Sequence, residues 1–213
     1  IKLVSDLQKT FVKCTGKEVS LDQFYGWGQL LISDFDDIDK NMADADKVFA
    51  NLENIHELDD VSFLTEEQRR ILQAFFSNFS EDHNTELKQR FIILWSHLAD
   101  IYHGFNDILK NQNLAYEGAL YREVVNDESI EFAFDTYVFV GFNVLQKVEQ
   151  TLFKRLKQQG KAKFYWDFDD YYMSAPQHEA GYYIRKYLSD FPNELNNRDE
   201  NIYRFLEPVT MEL

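Results

Sequence analysis

Glycine and proline are scarce in this chain: 8 and 3 in 213 residues, against a usual share of roughly 7% and 5%. With so few breakers and 16% aromatic side chains, the composition predicts long helices with thick aromatic packing. Cys14 is the single cysteine, which excludes a disulfide scaffold and fits a reducing compartment. No apolar run approaches the ~20 residues of a membrane span. Basic side chains are outnumbered, 22 against 37 acids, for a net charge of −15. That balance disfavours a stand-alone binder of duplex DNA or anionic membrane, because such affinity comes largely from Lys and Arg. A part of a larger DNA-handling machine stays compatible with it. A secretory n-region and cleavage pattern are missing, so a cytoplasmic location is expected. The chain opens on Ile1 rather than Met; a segment of a longer protein is expected. What is present is a 45% apolar content, enough for a full core and too much for a disordered chain.

Residues 2–13 place Leu3, Val4, Leu7 and Phe11 on one helical face, with Gly16 as the stop. Ser20-Leu21-Asp22-Gln23 reads as a capping box, and Val19 and Phe24 have the spacing of a hydrophobic staple. A long helix is expected from Leu21. Leu31, Phe35, Ile38, Met42, Ala45, Phe49 and Leu52 continue at 4-3-4-3 spacing on one stripe. The acids Asp34, Asp36, Asp37, Asp39, Asp44 and Asp46 fall mostly off it. Residues 53–62 read as a polar connection. Thr65-Glu66-Glu67-Gln68 is a second capping box, ahead of Ile71, Leu72, Phe75, Phe76 and Phe79. Leu87, Phe91, Leu94, Leu98, Ile101, Phe105 and Ile108 repeat the 4-3-4-3 spacing. A helix over 85–110 would be roughly 39 Å long at 1.5 Å per residue. Two such helices are expected to pack antiparallel at a shallow angle.

The pattern changes near residue 130. Thr136-Tyr137-Val138-Phe139-Val140, ending at Gly141, predicts a buried strand. Leu145, Val148, Leu152 and Leu156 mark a helix stopped by Gly160. Ala162 to Trp166 predicts a second buried strand, and Glu179 to Leu188 a helix ended by Pro192. Strand, helix and strand at this spacing make a parallel βαβ unit. The expected fold is α/β and predominantly helical: a helical region over 1–130, then a small parallel α/β region over 131–213.

Two acidic segments could carry chemistry. In Asp34-Phe35-Asp36-Asp37-Ile38-Asp39, the carboxylates of Asp34 and Asp37 lie at i,i+3 and could share a hard cation such as Mg²⁺. The simpler and preferred reading is a solvated helix face on which Lys40 pairs with Asp36 or Asp37. Asp167-Phe168-Asp169-Asp170 follows the second strand, at the sheet edge where α/β proteins bind ligands. A Mg²⁺-dependent phosphotransferase could use Asp167 as nucleophile and Asp169 as acid/base. That reading also needs a Lys and further acids, which the sequence does not place; a polar turn is the simpler alternative. His56, His83, His97, His103 and His178 lack zinc spacing, and His97 and His103, six apart, point to different helix faces. No phosphate-binding glycine loop and no Ser nucleophile elbow is present. Gly26-Trp27-Gly28 suggests close packing within a helix, and Cys14 a small core residue.

One ordered set of segments resembles a known family. Tyr137 to Leu145, then a helix, then Phe164-Tyr165-Trp166-Asp167-Phe168-Asp169-Asp170-Tyr171-Tyr172, resembles the UvrD/Rep-like helicase core around its second and third motifs. Where active members carry Asp-Glu for Mg²⁺ and the attacking water, this chain has Val140 and Gly141. At the third motif Asp167 remains, and Asp170 stands in place of Gln. The likeness is greatest to the degenerate helicase half of AddB-like helicase–nuclease subunits of the Bacteroidetes type. It extends to Phe24-Tyr25-Gly26-Trp27-Gly28-Gln29-Leu30-Leu31, to Ser33 through Lys40, to Leu114-Ala115-Tyr116-Glu117-Gly118 with Leu120-Tyr121-Arg122, to Glu179-Ala180-Gly181 and to Phe191-Pro192-Asn193.

The resemblance implies an internal fragment holding a helical 1B-like subdomain and part of a 1A-like core. The phosphate loop would lie upstream and a PD-(D/E)XK nuclease downstream. It implies no cofactor in this fragment, with ATP and Mg²⁺ belonging to the parent. Implied partners are the rest of the parent chain, a partner helicase–nuclease subunit and, through the parent, single-stranded DNA; no membrane is implied. The implied role is non-catalytic, within an ATP-dependent exonuclease of DNA double-strand-break repair. The rivals are the stand-alone phosphotransferase and a purely structural helical interaction module.

Overall fold

The computed structural model describes residues 1–55, 96–174 and 179–195, without the side chains of 51–55 and 170. Within these residues the protein is predominantly helical, with one two-stranded parallel sheet. It divides into two compact units, Ile1–Leu120 and Tyr121–Leu213. The second capping box and its helix, and the first half of the helix expected over 85–110, lie outside the described residues.

The first unit holds α1 (Lys2–Thr15), α2 (Leu21–Lys40), α3 (Ala45–Ile55), α4 (Leu98–Asn111) and the start of α5 (Glu117–Asn126). Gly16 takes the left-handed conformation (φ 66°) that ends α1, and its N–H bonds Val12 O. Ser20 and Gln23 form the expected capping box of α2. The core gathers Val4 and Leu7 of α1, Phe24, Leu31 and Phe35 of α2, Phe49 of α3, and Ile101, Phe105 and Leu109 of α4. At Gly28 α2 packs tightly against α1: a Cβ there would lie 2.7 Å from Val4 Cγ1. Gly26 has open space around it, so only one glycine of the pair is a packing residue.

The helix expected to run unbroken from Leu21 through Leu52 is two helices. After Lys40 the chain closes a Schellman turn: Met42 N–H bonds Asp39 O and Ala43 N–H bonds Ile38 O, each at 2.9 Å. Met42 sits at φ 51° in the position glycine usually takes. Asp44 then caps α3, accepting Lys47 N–H at 3.2 Å. The 4-3-4-3 stripe continues across the break because Ala45 and Phe49 still face the core. Likewise a turn at His97 opens α4.

The second unit holds the rest of α5, then β1 (Tyr137–Val140), α6 (Lys147–Gln158), β2 (Ala162–Tyr165), α7 (Asp170–Ser174), a 3₁₀ turn (Glu179–Gly181) and α8 (Tyr182–Asp190). β1 and β2 are parallel, pairing Tyr137 with Ala162 through Val140 with Tyr165, as the βαβ reading expects. Phe164 also bridges to Asn193 in parallel, and Glu194 N–H bonds Phe164 O at 2.9 Å.

The expectation of two buried strands needs correction. β1 alternates: Phe139 packs inward while Val138 and Val140 stay 55% and 65% exposed. In β2, Phe164 is buried and Lys163 is exposed. Among the described residues the inward face is lined by Phe153 of α6 and by Ile184 and Tyr187 of α8, and the other face has no such cover. Phe139, Phe153, Phe164 and Phe191 form a continuous ring contact, with centroids 4.0 to 5.6 Å apart. Trp166 extends it to Tyr187 and donates its indole N–H to Phe191 O at 2.8 Å.

Candidate functional site

The acidic segment of α2 is not a uniformly solvated face. Asp34 and Asp37 are exposed at the surface; the partial desolvation of the Asp34 carboxyl by its neighbours, and then the charge of Asp37, raise it above its usual range. Asp36 turns the other way. It pairs with Lys40 at 2.8 Å and accepts the backbone N–H of Gly118 at 2.6 Å. Lys40 reaches on to Glu117 at 3.0 Å, and hydrogen bonds to these two carboxylates, outweighing its burial, raise its pKa. Gly118 must be glycine for this approach: a Cβ would stand 2.5 Å from Asp36 O.

Asp39 departs furthest from the expected solvated face, being 1% exposed. Tyr102 donates its hydroxyl to it at 2.6 Å, and Tyr116 donates to its other oxygen. Asn106 in turn donates to Tyr116 Oη at 3.1 Å. Burial, and then the hydrogen bond to Asp39 and its charge, push the Tyr116 phenol far up, so it stays a donor. A buried carboxylate needs such partners, since an unsatisfied one is costly. Sequence reading missed this network, although a signal existed: Asp39 lies four residues after Phe35, on the core side of the helix. The two segments 33–40 and 114–118, far apart in sequence, are thus locked together. Their acids and tyrosines serve structure, which leaves Asp34 and Asp37 as the exposed pair.

The other acidic segment follows β2. Asp167 is exposed. Asp169 accepts Tyr171 N–H on its carboxylate at 2.7 Å and Tyr172 N–H on its carbonyl at 3.1 Å, opening α7. For Asp170 only the backbone, at the start of α7, is described. At the end of β1, Val140 is exposed and Gly141 adopts φ 75°; neither side chain offers a metal ligand. Among the described residues no three His, Cys, Asp or Glu side chains converge as a metal site.

His103 meets Asp46 at 2.8 Å on the surface, and His97 stands at the start of α4. His56, His83 and His178 lie outside the described residues. Cys14 is half-buried against the helical core, and that burial, with the charge of Asp100, raises its thiol pKa. A groove of ≈ 590 Å³, lined by Ile1 to Val4 and by Tyr25, Gln29, Ile32, Ser33 and Asp36, is open and mostly apolar. Its acid, Asp36, is committed to Lys40 and Gly118.

No described helix is long and apolar enough to cross a membrane. Neither a protein-family model, a curated protein nor a solved structure matches the chain.

Proposed function

We propose that the chain is a non-catalytic, helicase-like part of an AddB-like ATP-dependent exonuclease acting in DNA double-strand-break repair. In this reading residues 1–130 form a 1B-like helical subdomain and residues 131–213 a remnant of a 1A-like core. The module positions or senses single-stranded DNA while a partner subunit moves it. ATP and Mg²⁺ serve the parent chain and bind elsewhere in it. The observation that carries the reading is the end of β1 in its parallel βαβ unit. Active motors of this kind would hold Mg²⁺ there through Asp-Glu; this chain has Val140 and Gly141. A valine and a glycine supply no oxygen side chain for a hard cation, so a motor fold with this strand end is without its metal. Stacking of unpaired bases on aromatic side chains suits an acidic chain better than phosphate capture does.

The test is the coding sequence on both sides of this segment. A Gly-x₄-Gly-Lys-Ser/Thr loop upstream and an Asp…Glu-x-Lys nuclease signature downstream are the expected result. A start codon immediately before Ile1 and a stop immediately after Leu213 would overturn the reading. The rival phosphotransferase has its own test: a phosphatase assay of the unaltered chain and of Asp167→Asn, in which both are expected to be inactive.

A further inference from the structure

α2 has two seams. Phe24, Gly28, Leu31, Phe35 and Asp39 face the core. Along one flank of the helix, about a third of a turn round from that face, run Gln23, Trp27, Leu30, Asp34 and Asp37, all exposed and spaced 4-3-4-3. That is the repeat with which one helix offers a seam to another. Trp27 is 54% exposed and Leu30 is 67% exposed. A tryptophan and a leucine one turn apart, which no described residue covers, make the kind of anchor on which helix-binding faces are built.

The next turn of the same seam holds Asp34 and Asp37. These are like charges at i,i+3 in the half of α2 nearer its negative end, an unfavourable placement on both counts. Lys40, the basic residue that follows, is turned to Asp36 and Glu117. A cation arriving from outside relieves both repulsions at once. The seam is therefore apolar at one end and in need of positive charge at the other.

We infer that the Gln23–Asp37 seam of α2 docks a helix of a partner protein. That helix sets apolar side chains on Trp27 and Leu30, and arginine or lysine against Asp34 and Asp37. A second copy of the chain suits the seam poorly. Two such seams face to face would bring four aspartates into one interface between molecules of net charge −15, and opposed like charges are costly. The seam is the same whether or not the chain belongs to a helicase–nuclease.

The test uses the full chain and two synthetic three-heptad helical peptides with the same leucine seam. One carries arginine, the other glutamate, where the helix meets Asp34 and Asp37. Isothermal titration calorimetry near physiological salt is expected to show the arginine peptide binding about tenfold more tightly or better. Asp34→Lys with Asp37→Lys reverses that preference. Leu30→Ala weakens the arginine peptide about tenfold without changing the circular dichroism, since the side chain is exposed. Glu131→Lys with Asp135→Lys makes the same charge change in the other unit and leaves binding as it was. Three results would each overturn the inference. One is that neither peptide binds. Another is an equal loss from both lysine pairs, which means attraction by bulk charge alone. The third is a dimer in analytical ultracentrifugation that Leu30→Ala abolishes, which gives the seam to a second copy.

Discussion

The two units solve the problem of a small core in opposite ways. In the helical unit, charged groups are drawn inside and satisfied: Asp39 by Tyr102 and Tyr116, Asp6 by Lys2, Lys9 and Gln112. In the α/β unit the interior is a run of aromatic rings. Several of its cations donate to backbone carbonyls. Arg155 donates to the carbonyls of Val124, Asp127, Glu128 and Ile130 and lies 5.0 Å from the Phe132 ring centre; Lys161 donates to Phe132 O. The first arrangement fixes which helix faces meet, because a carboxylate tolerates few positions for its donors. The second tolerates a sparse sheet, because the rings bury much area and the hydrophobic gain from burying it is non-directional.

The sharpest break in this contrast is Phe153→Ala. Its ring touches Phe139, Phe142, Phe164 and Phe191, so the change should cost about 3–5 kcal/mol in chemical denaturation. A loss below about 1 kcal/mol would mean that the rings can close up around the gap. Tyr116→Phe removes one donor from a buried carboxylate and should cost about 1.5–3 kcal/mol. A double-mutant cycle with Tyr102→Phe should show coupling, whereas simple additivity would contradict a shared network. Arg155→Lys keeps the charge and loses the fork, for about 1–2 kcal/mol; no change would mean that the α5–β1 connection holds itself.

The smallest effect is one of pH. Burial raises the Asp6 carboxyl, but Lys2 and Gln112 outweigh it and hold the pKa below the usual 3.8. A lowered folded pKa contributes stability above the unfolded value, and that contribution is lost as pH falls through the folded one. Asp6→Asn should therefore flatten the acid limb of the stability curve below about pH 4. An unchanged limb would show that Asp6 does not drive it.

Much of this was legible in the sequence, and the omissions have physical reasons. Ser20-Gln23, Gly16 and Gly160 mark their ends because capping is local, as the capping box and the left-handed glycines show. The break between α2 and α3 was hidden because the apolar stripe runs on through Ala45 and Phe49. The sign of it is Asp44, an acid with the chemistry of an N-cap standing among other surface acids. Asp39 was grouped with its acidic neighbours because its partners lie 63 and 77 residues away, beyond any spacing rule. Half-exposed strands look buried in the sequence because Val138 and Val140 are the same letters covered or bare. For the acids after β2, composition gave the turn, and only the fold placed Asp169 at the head of α7.

The free side of β1 has a colloidal consequence. The ladder to β2 uses the amides of Tyr137 and Gly141, so those of Val138 and Val140 point away from it. Among the described residues β1 pairs with β2 alone. A short valine-rich edge of this kind invites pairing between molecules. What keeps molecules in dilute buffer apart is the net charge of −15, which acts over roughly 10 Å at 0.1 M salt and far less at 1 M. Near the isoelectric point of ≈ 4.7 that repulsion vanishes. Turbidity on acidification or salting should therefore begin at this edge, and Val140→Lys should delay it.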